Sequence, residues 1–380
     1  MLAEREVDVL VIGAGQAGLA MGYQLRDTGL RFLLVDKFDR LGETWRRRYD
    51  SLVLFSCRKM SSLPGMPVPG KPSGYPVKDE IAEYLEDYAE RFDLPIRTGV
   101  EVERLARDSD GGYEALTNQG DAIRARAVVV ATGAFQQPIV PEAAERLDSS
   151  VRQFTPLDYQ RPSQVPDGAV AIVGDGATGR QIARELAETH RVLLATGRKR
   201  NIYPQRILGI DYFWWLEKLG LLKAPRDSLL GQFMKKNDPF PGTGILFRNL
   251  RKKGVEVRKR FEGADGRTVT FGDGGAEEVD AVIWTLGYRE DNRWLHIADA
   301  LDEEGAIIEE RGVTPIPGLY TIGRCWQWTR ASATVTGVGA DAAYIARQIR
   351  SHFAVREQAT PHEAIARRSC SSSASTPVSR

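Results

Sequence analysis

Two sets of glycines in this chain of 380 residues have the spacing that binds a diphosphate. Gly13, Gly15 and Gly18 stand in Gly13-Ala-Gly-Gln-Ala-Gly18, and Gly174, Gly176 and Gly179 stand in Gly174-Asp-Gly-Ala-Thr-Gly179, 161 residues further on. In such a loop the first glycine turns the chain out of a strand, the second lets backbone approach a pyrophosphate, and the third lets the following helix pack on the strand. Free backbone N–H groups at the start of that helix then hold the phosphates. Asp36 follows Gly18 by 18 residues, at the spacing where a strand-end carboxylate accepts from ribose hydroxyls. The segment after the second loop ends differently, in Thr196-Gly197-Arg198-Lys199-Arg200, with no carboxylate. A 2′-phosphate would be repelled by an acid and paired by a guanidinium, so Arg198 favours NADPH over NADH. One acid-terminated loop and one base-terminated loop together imply FAD at the first, NADPH at the second, and a hydride passed between them. Asp175 and Thr178, inside the second loop, are expected to serve backbone hydrogen bonding.

The elements that must hold these loops are short apolar runs. Asp8–Ile12 and Arg31–Val35 read as buried strands, with a helix from about Ala17 to Arg26 between them. The unit returns as Ala169–Val173, a helix to about Thr189, and Val192–Ala195. Two copies of one βαβ opening are the main organisational fact of the chain. Asp79–Phe92 reads as a strong helix, with acids in its first turn that suit the helix dipole. Val128–Val130 ends in Ala131-Thr132-Gly133, Ala281–Trp284 ends in Thr285-Leu286-Gly287, and Gly318–Ile322 ends at Gly323. Each reads as a strand, and a last helix is expected from about Gly337 to Phe353. Beyond Val355 the apolar periodicity is lost, and the Ser-rich end is expected to be disordered.

Composition excludes several classes. A net charge of +1 gives no field that would draw the protein to nucleic acid or a membrane surface. The densest basic stretch, residues 248–260, reads as solvated surface. Cys57, Cys325 and Cys370 form no CxxC or CxxxxC pair, which argues against a disulfide framework and against thiol–disulfide exchange, and fits a cytoplasmic location. The four histidines are scattered without ligand spacing, so no metal is expected. Val7–Met21 is apolar, but the leader Met1–Glu6 carries two glutamates and one arginine, the wrong charge pattern for a signal peptide. No run reaches the length of a membrane span. Tyr212-Phe-Trp-Trp215 reads as core or domain interface, Cys57 as an inert buried thiol, and Arg330 either as a contact to cofactor or acidic substrate or as a structural ion pair.

From about Val7 to Arg350 the chain resembles bacterial flavin-containing monooxygenase-like flavoproteins of the CzcO-like group, and also the plant YUCCA-type indole-3-pyruvate monooxygenases. Both glycine loops carry the resemblance, with Gly42-Glu-Thr-Trp45, Tyr49-Asp-Ser-Leu52, Tyr75-Pro-Val-Lys78, Ala131-Thr-Gly133, Thr285-Leu-Gly-Tyr288, Trp326-Gln-Trp-Thr-Arg330 and Gly337-Val-Gly339. It implies an α/β fold of two Rossmann-like dinucleotide-binding domains, the NADPH domain (163–279) inserted in a split FAD domain (1–162 and 280–354), with 355–380 a disordered tail. Gly42 and Trp45 would lie against the flavin, Thr132, Gly133, Gly287 and Gly323 would be further cofactor contacts, and the helix from Gly337 would aim its N-terminus at the isoalloxazine. The implied reaction is transfer of one oxygen atom from O2 to a small organic substrate through a C4a-(hydro)peroxyflavin, with the hard chemistry carried by the cofactor. A homodimer is compatible with this reading, whereas nucleic acid and membrane are not expected partners.

Three positions depart from the family pattern. Phe154 stands where many relatives have a histidine, Phe55 where animal-type members have an asparagine, and Arg324 where some two-dinucleotide flavoproteins have an aspartate. An asparagine can hydrogen-bond an oxygenated flavin and a phenylalanine cannot. Phe55 and Phe154 keep a second reading open, an NADPH-dependent flavin oxidoreductase or oxidase without oxygen transfer; a third, a dinucleotide-sensing regulator linked to cation transport, is suggested by the label that some members of the resembling group carry.

Overall fold

The computed structural model describes residues 6–237 and 239–371. The apolar run at the start forms β1 (Glu6–Ile12), which pairs in parallel with β2 (Phe32–Val35) on one side and β6 (Ala122–Val130) on the other. β3 (Ile96–Arg97) extends the sheet beyond β2, and β21 (Leu319–Thr321) pairs with the carboxyl half of β6. The amino half of β6 instead pairs antiparallel with β5 (Tyr113–Thr117), which pairs with β4 (Val102–Arg107). Every residue of β6 from Val128 to Val130 is buried, as expected for a strand covered on both faces.

Helices cover one face of this sheet. α1 (Gln16–Leu25) follows the first glycine loop and packs against α8 (Val338–Ser371). Between α1 and α8 in the chain come α2 (Glu43–Arg46) and α3 (Lys78–Arg91). α3 buries Ile81, Tyr84, Leu85 and Tyr88, one face of a helix by spacing. Its Glu80 carboxylate accepts from the Val77 N–H at 2.8 Å, which caps the start. The core beneath these helices joins Val9, Val11, Leu19, Leu34, Ile81, Tyr88, Ile345 and Ile349.

The second glycine loop rises from its own parallel sheet. β9 (Ala169–Val173) is central, flanked by β10 (Arg191–Ala195) and β19 (Ala281–Trp284), with β15 (Glu256–Arg258) and β8 (Arg152–Phe154) at the edges. α4 (Ala177–Leu186) and α7 (Phe247–Lys252) cover one face. The antiparallel sheet of β16 (Phe261–Asp265), β17 (Thr268–Phe271) and β18 (Ala276–Glu278) covers the other, through Ala264, Val269 and Phe271 on Trp284. The chain enters and leaves this unit through β7 (Gln137–Pro138) and β20 (Tyr288–Arg289), which pair antiparallel. Two small pairs, β11 (Ile202–Tyr203) with β14 (Phe240–Pro241) and β12 (Arg206–Ile207) with β13 (Ile210–Asp211), stand beside α5 (Tyr212–Lys218) and α6 (Leu229–Asn237).

The limits expected for the inserted unit, 163 and 279, fall inside its sheet. β8 and β19 lie outside these limits, yet β19 pairs with β9 on one side and with β8 on the other, which satisfies the backbone groups of Arg152–Phe154. The final helix starts one residue later than expected and runs to Ser371 instead of ending near Phe353. Residues 372–380, the end of the expected Ser-rich tail, lie outside the described residues. No helix among the described residues is long and apolar enough to cross a membrane.

Candidate functional site

Each glycine loop meets the returning strand of its own sheet in the same way. A Cβ on Gly13, at φ +106°, would lie 2.5 Å from the Ala131 carbonyl oxygen; one on Gly174, at φ +113°, would lie 2.4 Å from that of Thr285. A Cβ on Gly18 would strike the Gly13 oxygen at 1.8 Å, and one on Gly179 the Gly174 oxygen at 2.0 Å. Gly15 and Gly176 differ from these four, because no atom lies within 4 Å of where their Cβ would be. The first and third glycines are therefore required by packing, and the middle one faces open space at a helix start. Such an open helix start leaves room for a diphosphate to approach backbone N–H groups.

The flanking residues differ between the loops. Asp36, at the end of β2, accepts from Ala14 N at 2.7 Å through Oδ2 and from Phe38 N at 3.0 Å through Oδ1. This carboxylate is fixed beside the first loop, as an acceptor for ribose hydroxyls must be. In the second loop the acid lies within the loop. Asp175 accepts from Gly197 N at 2.8 Å and pairs with Arg180 at 2.7 Å, the two side chains 4% and 3% exposed. Arg180 also donates to the carbonyls of Asp175 and Ile245, and its guanidinium lies 3.7 Å from the Phe247 ring centroid. Arg198 is exposed at the end of β10. Arg200 lines a cavity of about 320 Å3 with Arg180, Asn201, Tyr203 and Phe247.

Thr132 and Gly133 follow β6 at the mouth of the first loop. Gln136 Nε2 donates to Thr132 Oγ1 at 3.0 Å and to the Gly133 carbonyl at 2.8 Å. Gly287 takes the matching place after β19, with φ +104° and open space around it, and its carbonyl accepts from Ile139 N. Gly323, at φ +87°, has a packing reason: a Cβ there would come within 2.7 Å of the Ala17 Cβ on α1. Gly42 likewise faces the α3 backbone, where a Cβ would be 2.7 Å from the Ala82 Cα and oxygen. Trp45 is half-buried, and its Nε1 donates to Gln16 Oε1 at 3.2 Å while Gln16 Nε2 donates to the Ala333 carbonyl at 3.1 Å. The Gly42–Trp45 motif, the first residue of α1 and the approach to α8 are thus tied together.

The three positions that depart from the family pattern separate in space. Phe154 lies in β8, 6% exposed, in the core with Tyr159, Ile182 and Ile283. Phe55 is 37% exposed and stacks on Phe213 of α5, with centroids 5.6 Å apart. Arg324 pairs with Glu290 at 2.8 Å and donates to the Ile307 carbonyl. Beside the Phe55 stack, Cys57, Met60, Tyr212, Phe213, Leu216 and Ala331 form one apolar cluster drawn from all three parts of the chain. The expected core role of Tyr212 and Phe213 is met there. Burial pushes the Cys57 thiol above its ordinary range, and Asp211 adds to the rise, both of which disfavour the thiolate. Arg330 Nη2 donates to the Pro239 carbonyl, a tie to the inserted unit.

Other residues of the site were given no role from the sequence. Tyr49 is 3% exposed within the core of the second unit, and its hydroxyl donates to Gln181 of α4. Next to it, Arg48 donates to the Tyr288 hydroxyl and lies over the Tyr288 ring at 5.3 Å and the Phe135 ring at 6.0 Å. The Tyr49-Asp-Ser-Leu52 motif flagged the place but not the partners, which come from 132 and 240 residues away. A larger cavity of about 450 Å3, beside Val7, Leu30, Phe32 and Pro95, lies at the amino ends of β1 to β3. Ligands of open parallel sheets bind at the opposite, carboxyl ends.

Among known proteins, residues 10–206 match the pyridine nucleotide-disulphide oxidoreductase family. The chain is 47% identical over 348 residues to an uncharacterized oxidoreductase, CzcO-like, of Geobacillus kaustophilus, covering 91% of this chain and 99% of that one. It is 27% identical over 383 residues to a probable indole-3-pyruvate monooxygenase of the YUCCA group from Arabidopsis thaliana, covering 90% and 88%. A solved flavin-containing monooxygenase from Stenotrophomonas maltophilia matches with a TM-score of 0.78 at 26% identity, covering 91% of this chain and 99% of that one.

Proposed function

Because the chain belongs to the pyridine nucleotide-disulphide oxidoreductase family, and is an oxidoreductase whose relatives and structural neighbours include flavin-dependent monooxygenases, we propose that it is an FAD- and NADPH-dependent monooxygenase acting on a small organic substrate in the cytoplasm. The observation that carries this reading is the repeated cradle: two diphosphate loops of one geometry, only one of which ends in a carboxylate. The residues present fit both groups. The first loop, with Gly15 open and Asp36 fixed beside it, suits the unphosphorylated ribose of FAD. The second, with a bare backbone at Gly197 followed by Arg198, Lys199 and Arg200, suits the 2′-phosphate of NADPH.

When bound, FAD supplies hydride acceptance from NADPH and the reaction with O2. The chain's own residues bind, orient and exclude water. Backbone N–H groups at the starts of α1 and α4 hold the two diphosphates. Gln16 fixes Trp45 against the first loop. The Phe55–Phe213 stack and the apolar cluster around Cys57 keep water from the junction of the three chain segments. No cluster of His, Cys, Asp or Glu able to hold a metal ion occurs among the described residues. Cys57, Cys325 and Cys370 stand far apart in sequence and form no CxxC pair, which does not favour thiol–disulfide exchange as the activity.

The test is to follow NADPH oxidation, O2 uptake and peroxide by the FAD-loaded protein across a panel of amines, thioethers and ketones under 18O2. One 18O atom in a product, with peroxide falling as product rises, is the expected result. Peroxide equal to NADPH consumed for every compound would replace this reading with an oxidase. No NADPH oxidation at all would leave only a dinucleotide sensor.

A further inference from the structure

The loop and the end of the second strand are tied in both units by one hydrogen bond, but its donor and acceptor are exchanged. In the first unit the loop donates: Ala14 N to Asp36 Oδ2, 2.7 Å. In the second the loop accepts: Gly197 N to Asp175 Oδ1, 2.8 Å. Positions 14 and 175 follow the first glycine of their loops, and positions 36 and 197 each come 23 residues after that glycine. The two bonds therefore occupy equivalent places, with the carboxylate moved from the strand end into the loop.

This exchange has an electrostatic consequence. A carboxylate at the strand end faces the adenosine ribose, where it favours hydroxyls and repels a phosphate. The tie between loop and strand end is present in both units and closes the loop onto the strand. Supplying its acceptor from position 175 keeps the tie and leaves a bare backbone at position 197. An acid inside a diphosphate loop would in turn repel the diphosphate. Arg180, one turn into α4, cancels that charge at 2.7 Å, with both side chains almost wholly buried. Three residues that look unrelated in sequence are thus parts of one arrangement.

We infer that Asp175, Arg180 and Gly197 form a selectivity device that keeps the loop closed while removing negative charge from the place a 2′-phosphate must occupy. The inference rests on reading the second loop as the NADPH site and adds which residues set the preference. Gly197 is exposed, has no left-handed backbone, and a Cβ there would sit 3.6 Å from Asp175 Oδ1, an ordinary contact. Gly197→Asp is therefore expected to fold, and it restores a strand-end carboxylate. A second variant transplants the first unit's arrangement: Gly197→Asp with Asp175→Ala and Arg180→Met, the buried pair removed together so that neither charge is stranded.

The experiment is calorimetric titration of the FAD-loaded full chain and both variants with NADP+ and with NAD+, alongside FAD content and thermal midpoint. The expected result is a loss of NADP+ affinity of roughly tenfold to a hundredfold in Gly197→Asp, the worth of one charge-assisted contact turned to repulsion. NAD+ affinity should hold or improve in the transplant, so the ratio of the two moves toward NAD+. Gly197→Ala adds bulk without charge, and an equal loss there would overturn the inference. An unchanged ratio in the Asp variants, with a wild-type chain that prefers NADP+, would overturn it while sparing the NADPH reading. A wild-type chain that prefers NAD+ would overturn both.

Discussion

Phe154 is 6% exposed in the core that joins the second sheet to α4, whereas Phe55 is 37% exposed and stacked on Phe213 where three chain segments meet. A side chain buried in β8 is expected to act on stability, and under the proposed function one at the junction is expected to act on water access. Phe154→Ala should cost about 3–5 kcal/mol, the usual cost of deleting a buried aromatic, and should leave the peroxide formed per NADPH unchanged in the protein that remains folded. Phe55→Ala should cost about 1 kcal/mol, mostly the lost ring pair, yet raise the peroxide yield by admitting water. Thermal melts read beside peroxide per NADPH distinguish the two, and a changed yield in Phe154→Ala without a drop in melting temperature would contradict the assignment. Family comparison marks both positions as departures, but only the pairing of β8 with β19 reveals that Phe154 is core.

The helix α8 carries Asp341 in its first turn, where the helix dipole favours a carboxylate. Burial outweighs the dipole. Asp341 is 3% exposed, its Oδ2 has no hydrogen-bond partner among the described residues, and desolvation raises its pKa from the ordinary 3.8 to about 6. The Ser332 hydroxyl and the Arg311 guanidinium pull the other way, and Glu309 adds to the rise. A raised carboxyl pKa means that the folded state holds its proton over a range where the unfolded state has lost it. This contribution to stability is therefore full below pH 4 and is lost as pH rises through about 6. Asp341→Asn should be more stable than wild type at pH 8 by roughly 3 kcal/mol, and the gap should close at pH 4. A gap that ignores pH in thermal melts would show that burial of the charge is not its source. The same element illustrates what the sequence could and could not convey. Gly337-Val-Gly339 announced the start of α8, because a Cβ on Gly337 or Gly339 would meet Ala331 or Pro64 at under 2.5 Å. The glycine loops and Asp36 were legible for the same reason: their spacing is set by local geometry. Asp175 and Arg180 were visible as residues, but their burial and the bond to Gly197 depend on how β10 registers on β9. The antiparallel strands β4, β5 and β16 to β18 mix charged and apolar residues in runs too short to stand out from loops.

Across the whole molecule, the two dinucleotide units are held together by neighbouring residues of the first unit. Tyr49 inserts into the core of the second unit and bonds Gln181 on α4, while Arg48 bonds Tyr288 where the chain returns through β20. Burial also raises the Tyr49 phenol well above its ordinary pKa, so it stays a neutral donor at working pH. Hydride transfer needs the reacting atoms about 3–3.5 Å apart, and a misplacement of about 1 Å can cost roughly a hundredfold. Under the proposed function the relative placement of the two units is therefore part of the chemistry, and Tyr49 is one of the residues that tie them. Tyr49→Phe keeps the packing and loses one hydrogen bond, so it should cost about 1 kcal/mol and slow flavin reduction only slightly. Tyr49→Ala removes the buried ring, should cost about 3–5 kcal/mol, and should split calorimetric unfolding into two transitions, because the second unit has a core of its own. Flavin reduction by NADPH, followed at 450 nm under saturating NADPH, should slow by roughly tenfold or more in Tyr49→Ala, while NADP+ affinity changes far less because both diphosphate loops are intact. A single transition with an unchanged reduction rate would show that the units are aligned by the paired β7 and β20 alone.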